Sequence, residues 1–256
     1  MMMHTLNNTA TKVAESLQSW EDLVCLQRVP ASFDSSHGDF VTLKLDVFYR
    51  GSLPDHENRL LLLPNLQRGE SSFGKKKDRV RIDNVPVHLE YKQLYEAEDL
   101  VDIAHQPPHL LVGETTYGLF RIANGIPLWD PQGWMSGLKD RLEKIPLNFW
   151  EQHTKILRSR ILHLLNDLSL SFYSVDNYSF IISFSRSLQT LAECLFTLNH
   201  EFLPTQEDLD RRLLQLEKLP TGFHGAWDSL VREKGLDRSR KLEVVQHLGQ
   251  SVLLMT

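Results

Sequence analysis

The chain has 256 residues, 41% of them hydrophobic and 24% charged, and a formal net charge of −5. That length and balance describe a folded chain able to bury a core without disulfides, and they exclude the disordered class. They also lack the basic field that a duplex nucleic acid demands, so DNA is not an expected partner.

Cys25 and Cys194 are the only cysteines, too few for a disulfide framework or a CxxC metal site, and a reducing compartment is the expectation. The stretch from Met1 to Asn8 has neither the basic start nor the apolar run of a signal peptide. Leu60 to Leu63 and Leu110 to Val112 are short apolar bursts, far below the ~20 residues of a membrane-spanning helix. A cytoplasmic protein with no membrane partner follows as the expectation.

In chain order, Val13, Leu17 and Trp20 at helical spacing predict a short helix over Ala10 to Trp20, and Leu23 to Val29 reads as a strand stopped by Pro30. Leu43 to Tyr49 alternates: Leu43, Leu45, Val47 and Tyr49 on one face, Lys44, Asp46 and Phe48 on the other. Gly51, Ser52 and Pro54 close that strand. Arg68, Gly69, Ser71, Ser72 and Gly74 lead into Lys75, Lys76 and Lys77, which reads as a solvated loop. Val80 to Asp83 and Val85 to Tyr91 flank Asn84 and predict a hairpin, with His88 and Glu90 sharing a face opposite Val87, Leu89 and Tyr91.

From about residue 146 the texture turns helical. Ile156, Ile161, Leu164, Leu165 and Leu168 mark a first helix beginning near Pro146, and Phe180 to His200 a second. Thr205 with Asp208 suggests a capping box for a third, running to about Leu219; Phe223 to Lys234 and Arg240 to Leu254 complete the set. The fold class is therefore α+β, a small mixed sheet followed by an all-helical bundle, with domains expected at 1–145 and 146–256.

Chemistry has few places to sit. There is no P-loop, GxGxxG, HExxH or GxSxG motif. His105 and His109 have i, i+4 spacing, but Pro107 and Pro108 between them forbid the helix that would make them converge. Glu193, His200 and Trp129 read respectively as a solvated helix residue, a cation at a helix C-terminus and a core ring. What remains is the pair of charged strand faces, Lys44 with Asp46 and His88 with Glu90. Carboxylates on adjacent strands are a common way to hold Mg²⁺, which requires oxygen ligands at fixed geometry. Charged alternation is equally the mark of a solvent-facing side.

The order of these pieces resembles the nucleotidyltransferase superfamily of DNA polymerase beta type, in particular its small bacterial branch that includes the aminoglycoside nucleotidyltransferases. Leu23 to Val29 stands where that family has its first strand, Ala31-Ser32 where it has Gly-Ser, Lys44-Leu45-Asp46 where it has two aspartates one residue apart, and Glu90 where it has a third acid. The segment Gly125 to Gly133, GIPLWDPQG, and Cys194 to Pro204, CLFTLNHEFLP, also look like family stretches. The resemblance implies Mg²⁺ held by Asp46 and Glu90 as catalytic residues. It places Ser32, Lys44 and His88 against substrate, and implies transfer of a nucleoside monophosphate from a nucleoside triphosphate to a small-molecule acceptor.

Two departures cut against it. Lys44 puts a cation where the family has an anion, and an ammonium repels Mg²⁺. Ala31 in place of glycine limits close backbone approach to phosphate. Lys44 is expected within salt-bridge reach of Asp46 or Glu90, in the volume a metal would fill. Three readings follow: an active nucleotidyltransferase, a degenerate member that binds nucleotide or another ligand without turnover, and a protein-interaction module built on the same scaffold.

Overall fold

The computed structural model describes residues 2–30, 42–71, 76–106, 115–174, 176–232 and 235–255. Ala31, Ser32, His109 and the Ser72 to Lys75 part of the basic segment lie outside them. The chain divides into two compact units, Met1–Ala104 with Gly118–Ile145, and His105–Tyr117 with Pro146–Thr256.

The first unit is α+β. Its described elements are α1 (Met2–Leu17), β1 (Leu23–Arg28), β2 (Leu43–Tyr49), α2 (His56–Leu61), β3 (Leu66–Ser71), β4 (Lys77–Ile82), β5 (Val85–Gln93), α3 (Leu94–Ala104), α4 (Tyr117–Asn124), β6 (Ile126–Trp129) and α5 (Trp134–Leu142). The strands form one mixed sheet in the order β3-β4-β5-β2-β1-β6. β2 and β5 run parallel, and the other neighbours run antiparallel. The β4–β5 hairpin turns on Asp83 and Asn84, both with positive φ (47° and 65°), the backbone that a two-residue type I′ turn needs. Strand β3 replaces the loop expected around Arg68 and Gly69: its polar composition suits an edge strand, which one neighbour, β4, holds in register.

Alternation decides which residues face which layer. Leu43, Leu45, Val47 and Tyr49 of β2 share a buried cluster with Val87, Leu89 and Tyr91 of β5 and Val80 and Ile82 of β4. Against them α1 lays Leu6, Ala10, Val13, Ala14 and Leu17, all nearly inaccessible to solvent. Each buried leucine, isoleucine or valine here contributes roughly 1.5–3 kcal/mol, which fixes the register, because a slip of one residue would turn Asp46 into this layer. The helix starts eight residues before the expected Ala10, since the Leu6–Ala10–Val13–Leu17 stripe is longer than its conspicuous end.

Arg59 of α2 and Asp78 of β4 form an enclosed ion pair, Nε to Oδ2 at 2.8 Å and Nη2 to Oδ1 at 2.9 Å. The guanidinium also lies 4.8 Å from the Tyr91 ring centroid.

The second unit is helical: α6 (Leu147–Tyr173), α7 (Asn177–Leu198), α8 (Gln206–Leu213), α9 (Phe223–Val231) and α10 (Arg238–Leu254). Its core joins Leu157, Ile161 and Leu168 of α6 to Leu191, Leu195 and Phe196 of α7, closed by Phe223, Trp227, Val245, Leu248 and Val252. Asp176 caps α7 by accepting from the amides of Tyr178 and Ser179, and Asp237 caps α10 by accepting from that of Arg240. The capping box expected at Thr205 is not formed. Thr205 sits at the N-cap, but among the described residues its buried hydroxyl has no hydrogen-bond partner, and Asp208 turns instead to Arg211 and Arg212. Thr116 belongs to this unit, where its hydroxyl accepts from the Leu203 amide at 2.9 Å. Among the described residues no helix is long and apolar enough to cross a membrane.

A candidate functional site on the first unit's sheet

The face of the sheet opposite α1 carries the charges. Parallel pairing of β2 with β5 sets Asp46 directly across from Glu90 and Lys44 across from His88. The antiparallel neighbours extend both rows: β1 adds Gln27 beside Asp46, and β4 adds Lys77 beside Glu90 and Arg79 beside His88. Adjacent strands lie about 4.8 Å apart, so these side chains form rows of near neighbours. The two carboxylates expected to converge therefore do so.

What stands between them is Arg121, from α4. Its Nε donates to Asp46 Oδ2 at 3.1 Å, its Nη2 donates to Asp46 Oδ1, and its Nη1 donates to Glu90 Oε2. Lys92, two residues beyond Glu90 on the same face, places its ammonium 2.9 Å from Asp46 Oδ1. Gln27 completes the set by donating from Nε2 to Asp46 Oδ2 at 3.2 Å and to the Arg121 carbonyl at 3.1 Å. Asp46 is fully enclosed, and each of its oxygens accepts from two groups. Glu90 is one quarter exposed and also meets the Lys77 ammonium at 3.3 Å. Burial alone would raise the Glu90 carboxyl, but the charges of Arg121 and Lys92 outweigh it and hold the group below the ordinary carboxylate range.

Lys44 is half-buried in the other row, opposite His88. Burial, reinforced by the positive charges of Arg79 and Lys44, lowers the His88 imidazole and favours its neutral form. Phe48 continues the Asp46 side of β2, with the Trp134 ring centroid at 5.3 Å and the Lys92 ammonium 5.8 Å from its own centroid. Trp134 is held in turn by donating from Nε1 to Glu98 at 2.9 Å. Ser32, the remaining residue expected against substrate, lies outside the described residues.

The fit to Mg²⁺ follows from the donor set. A divalent ion at Asp46 and Glu90 would need lone pairs that already receive a guanidinium, an ammonium and an amide. It would also sit among like charges. Among the described residues no cluster of three histidine, cysteine or acidic side chains is placed to hold a metal. The residues present do not fit the ion.

No family model matches this chain, and no curated protein matches it. Among solved structures, the chain is similar to a nucleotidyltransferase-like protein from Exiguobacterium sibiricum 255-15, at 11% identity and a TM-score of 0.46. That alignment covers 95% of this chain and 74% of the other. A superposition that loose transfers neither site nor activity.

Arg121 and Lys92 escaped the reading of the sequence for different reasons. Lys92 was legible: alternation carries Glu90's face to it. Arg121 was not, because α4 is one of several short helices in a turn-rich half, and its one cation, within Leu119, Phe120 and Ile122, reads as the polar edge of an amphipathic turn.

Proposed function

We propose that this chain is a nucleotidyltransferase-like protein without metal-dependent transfer, whose charged sheet face binds a phosphate-bearing ligand of the nucleoside triphosphate class directly through cationic side chains. The observation that carries the reading is the Arg121 guanidinium shared by Asp46 and Glu90. In a nucleotidyltransferase those acids would hold Mg²⁺, and the ion would neutralise the triphosphate. Here fixed side-chain cations occupy the corresponding electrostatic role. Lys77 and Arg79 are exposed on the same face, with Lys44 and Lys92 half-buried beside them. His88, favoured in its neutral form by burial and by the charges of Arg79 and Lys44, sits among them as a hydrogen-bonding group and not as a further cation. A guanidinium and ammonium groups held beside one another recognise phosphate oxygens by charge-assisted hydrogen bonds.

The test compares thermal stabilisation of the full chain by ATP in EDTA and in excess Mg²⁺. The expected result is a rise in Tm with ATP that is undiminished in EDTA, reduced by Arg79→Gln, and accompanied by no transfer of AMP to any acceptor. Stabilisation that appears only with Mg²⁺, or measurable transfer, would restore the enzyme reading. A protein-interaction module remains the second reading because Leu170, Tyr173, Tyr178 and Ile181, near the junction of α6 and α7, are 58–82% exposed. It predicts no response to ATP under either condition.

A further inference from the structure

A second site lies in the helical unit and is independent of the sheet face. A cavity of about 360 Å³ opens between α6 and α7, lined by Thr115, by Arg160 and Leu164 of α6 and by Arg186, Gln189, Thr190 and Glu193 of α7. On α7 these occupy positions i, i+3, i+4 and i+7, so the helix turns one continuous face to the cavity. Arg186 and Gln189 are exposed at its mouth, Arg160 and Leu164 are half-buried in the wall, and Thr190 and Glu193 are buried at the floor.

Glu193 contradicts its expected role as a solvated helix residue: its side chain is 2% exposed. Its Oε1 has no hydrogen-bond partner among the described residues, and neither ring nitrogen of His153, 1% exposed, has one either. His153 Nε2 lies 3.6 Å from Glu193 Oε1, beyond hydrogen-bond reach. A buried carboxylate oxygen without a hydrogen bond is destabilising, and here the fold leaves one such acceptor unpaired, with His153 close to it. Among the described residues neither Arg160 nor Arg186 makes a side-chain ion pair or hydrogen bond. The cavity thus has at its floor a carboxyl group with one oxygen unpaired among the described residues, and guanidinium groups toward its opening.

We infer that this cavity binds a small zwitterion of the α-amino acid class, its ammonium on Glu193 and its carboxylate on Arg160 and Arg186. The polarity runs the right way for that ligand and the wrong way for a simple anion, which Glu193 would repel, or a simple cation, which the arginines would. A guanidinium offers two parallel N–H groups to a carboxylate, and its long side chain spans the distance that a short ligand leaves open. Leu164 gives the ligand's side chain one apolar wall. The volume is at the lower end for small-molecule sites and suits a single amino acid.

The test is a thermal-shift screen of the full chain against the proteinogenic L-amino acids at millimolar concentration. Each stabilising amino acid is then repeated as its amide, which lacks the carboxylate, and as its N-acetyl derivative, which lacks the ammonium. At least one free amino acid is expected to raise Tm, and both derivatives to lose the effect. Glu193→Gln, nearly isosteric, and Arg186→Gln, at an exposed position that does not hold the fold, should each weaken binding at least tenfold by calorimetric titration. The inference is overturned if no amino acid stabilises the wild-type chain, if a derivative binds as well as its parent, or if Arg186→Gln leaves the affinity unchanged. A lower Tm for ligand-free Glu193→Gln would also overturn it, by making the carboxylate a structural partner of His153.

Discussion

Arg121 is the side chain on which the sheet face depends most. It neutralises an enclosed aspartate and a partly enclosed glutamate at once, and removing one partner of such a network leaves the others charged and desolvated. Arg121→Ala should cost about 3 kcal/mol in urea unfolding, and Arg121→Lys should recover only part of it, because an ammonium cannot span both carboxylates as the guanidinium does. The same face sets a pH dependence. His88 is held below its ordinary value of 6.5, so the unfolded chain takes up that proton first as pH falls, and the folded state loses stability from about pH 6.5 downward. Glu90, held below 4.5, acts in the same direction at lower pH: its contribution is complete above the unfolded value and is lost as pH drops through the folded one. Urea midpoints measured from pH 8 to 3 should fall in both ranges, His88→Gln flattening the upper part and Glu90→Gln the lower. Asp46 and Glu90 were legible because alternation and strand order settle which residues lie across from one another. Their partner was not, because a contact 75 residues away in sequence leaves no local trace.

At the scale of elements, the turn into β6 matters as much as any strand. A methyl group added at Gly125 would meet the Gln27 carboxamide and the Arg121 carbonyl, the two groups that Gln27 joins above Asp46. Gly125→Ala should therefore destabilise the protein by about 1–3 kcal/mol and weaken ATP binding, since the strain falls on the backbone that carries Arg121. A circular dichroism melt paired with the ATP shift checks both outcomes. Strongly periodic elements were readable: β2, the β4–β5 hairpin, and α6, α7 and α10 come within a few residues of expectation, because each buries a repeating stripe. α2, α3 and α4 were not, since elements of 6 to 11 residues owe their helicity to what they pack on. β3 failed for the opposite reason. Its Arg-Gly-Glu-Ser stretch has no apolar alternation to mark a strand, and pairing with β4 is what makes it one.

Across the whole molecule, each unit has its own core, one between sheet and α1, the other among helices. Leu45→Ala should weaken the first and Leu195→Ala the second, each by about 2–5 kcal/mol, because both leucines are fully enclosed. Amide hydrogen exchange would show which strands or helices lose protection in each case. The order in which the chain visits these cores is less simple than a sequence cut near residue 145 implies. It enters the helical unit at 105, returns to the sheet unit at 118 and leaves again at 146. Thr116 is the visible stitch, accepting from an amide 87 residues further on. Any exchange of helical units between this chain and a relative, whether by recombination or in the laboratory, must then move two separate pieces of gene together. A single crossover would leave the incoming bundle with a foreign seam at Leu203.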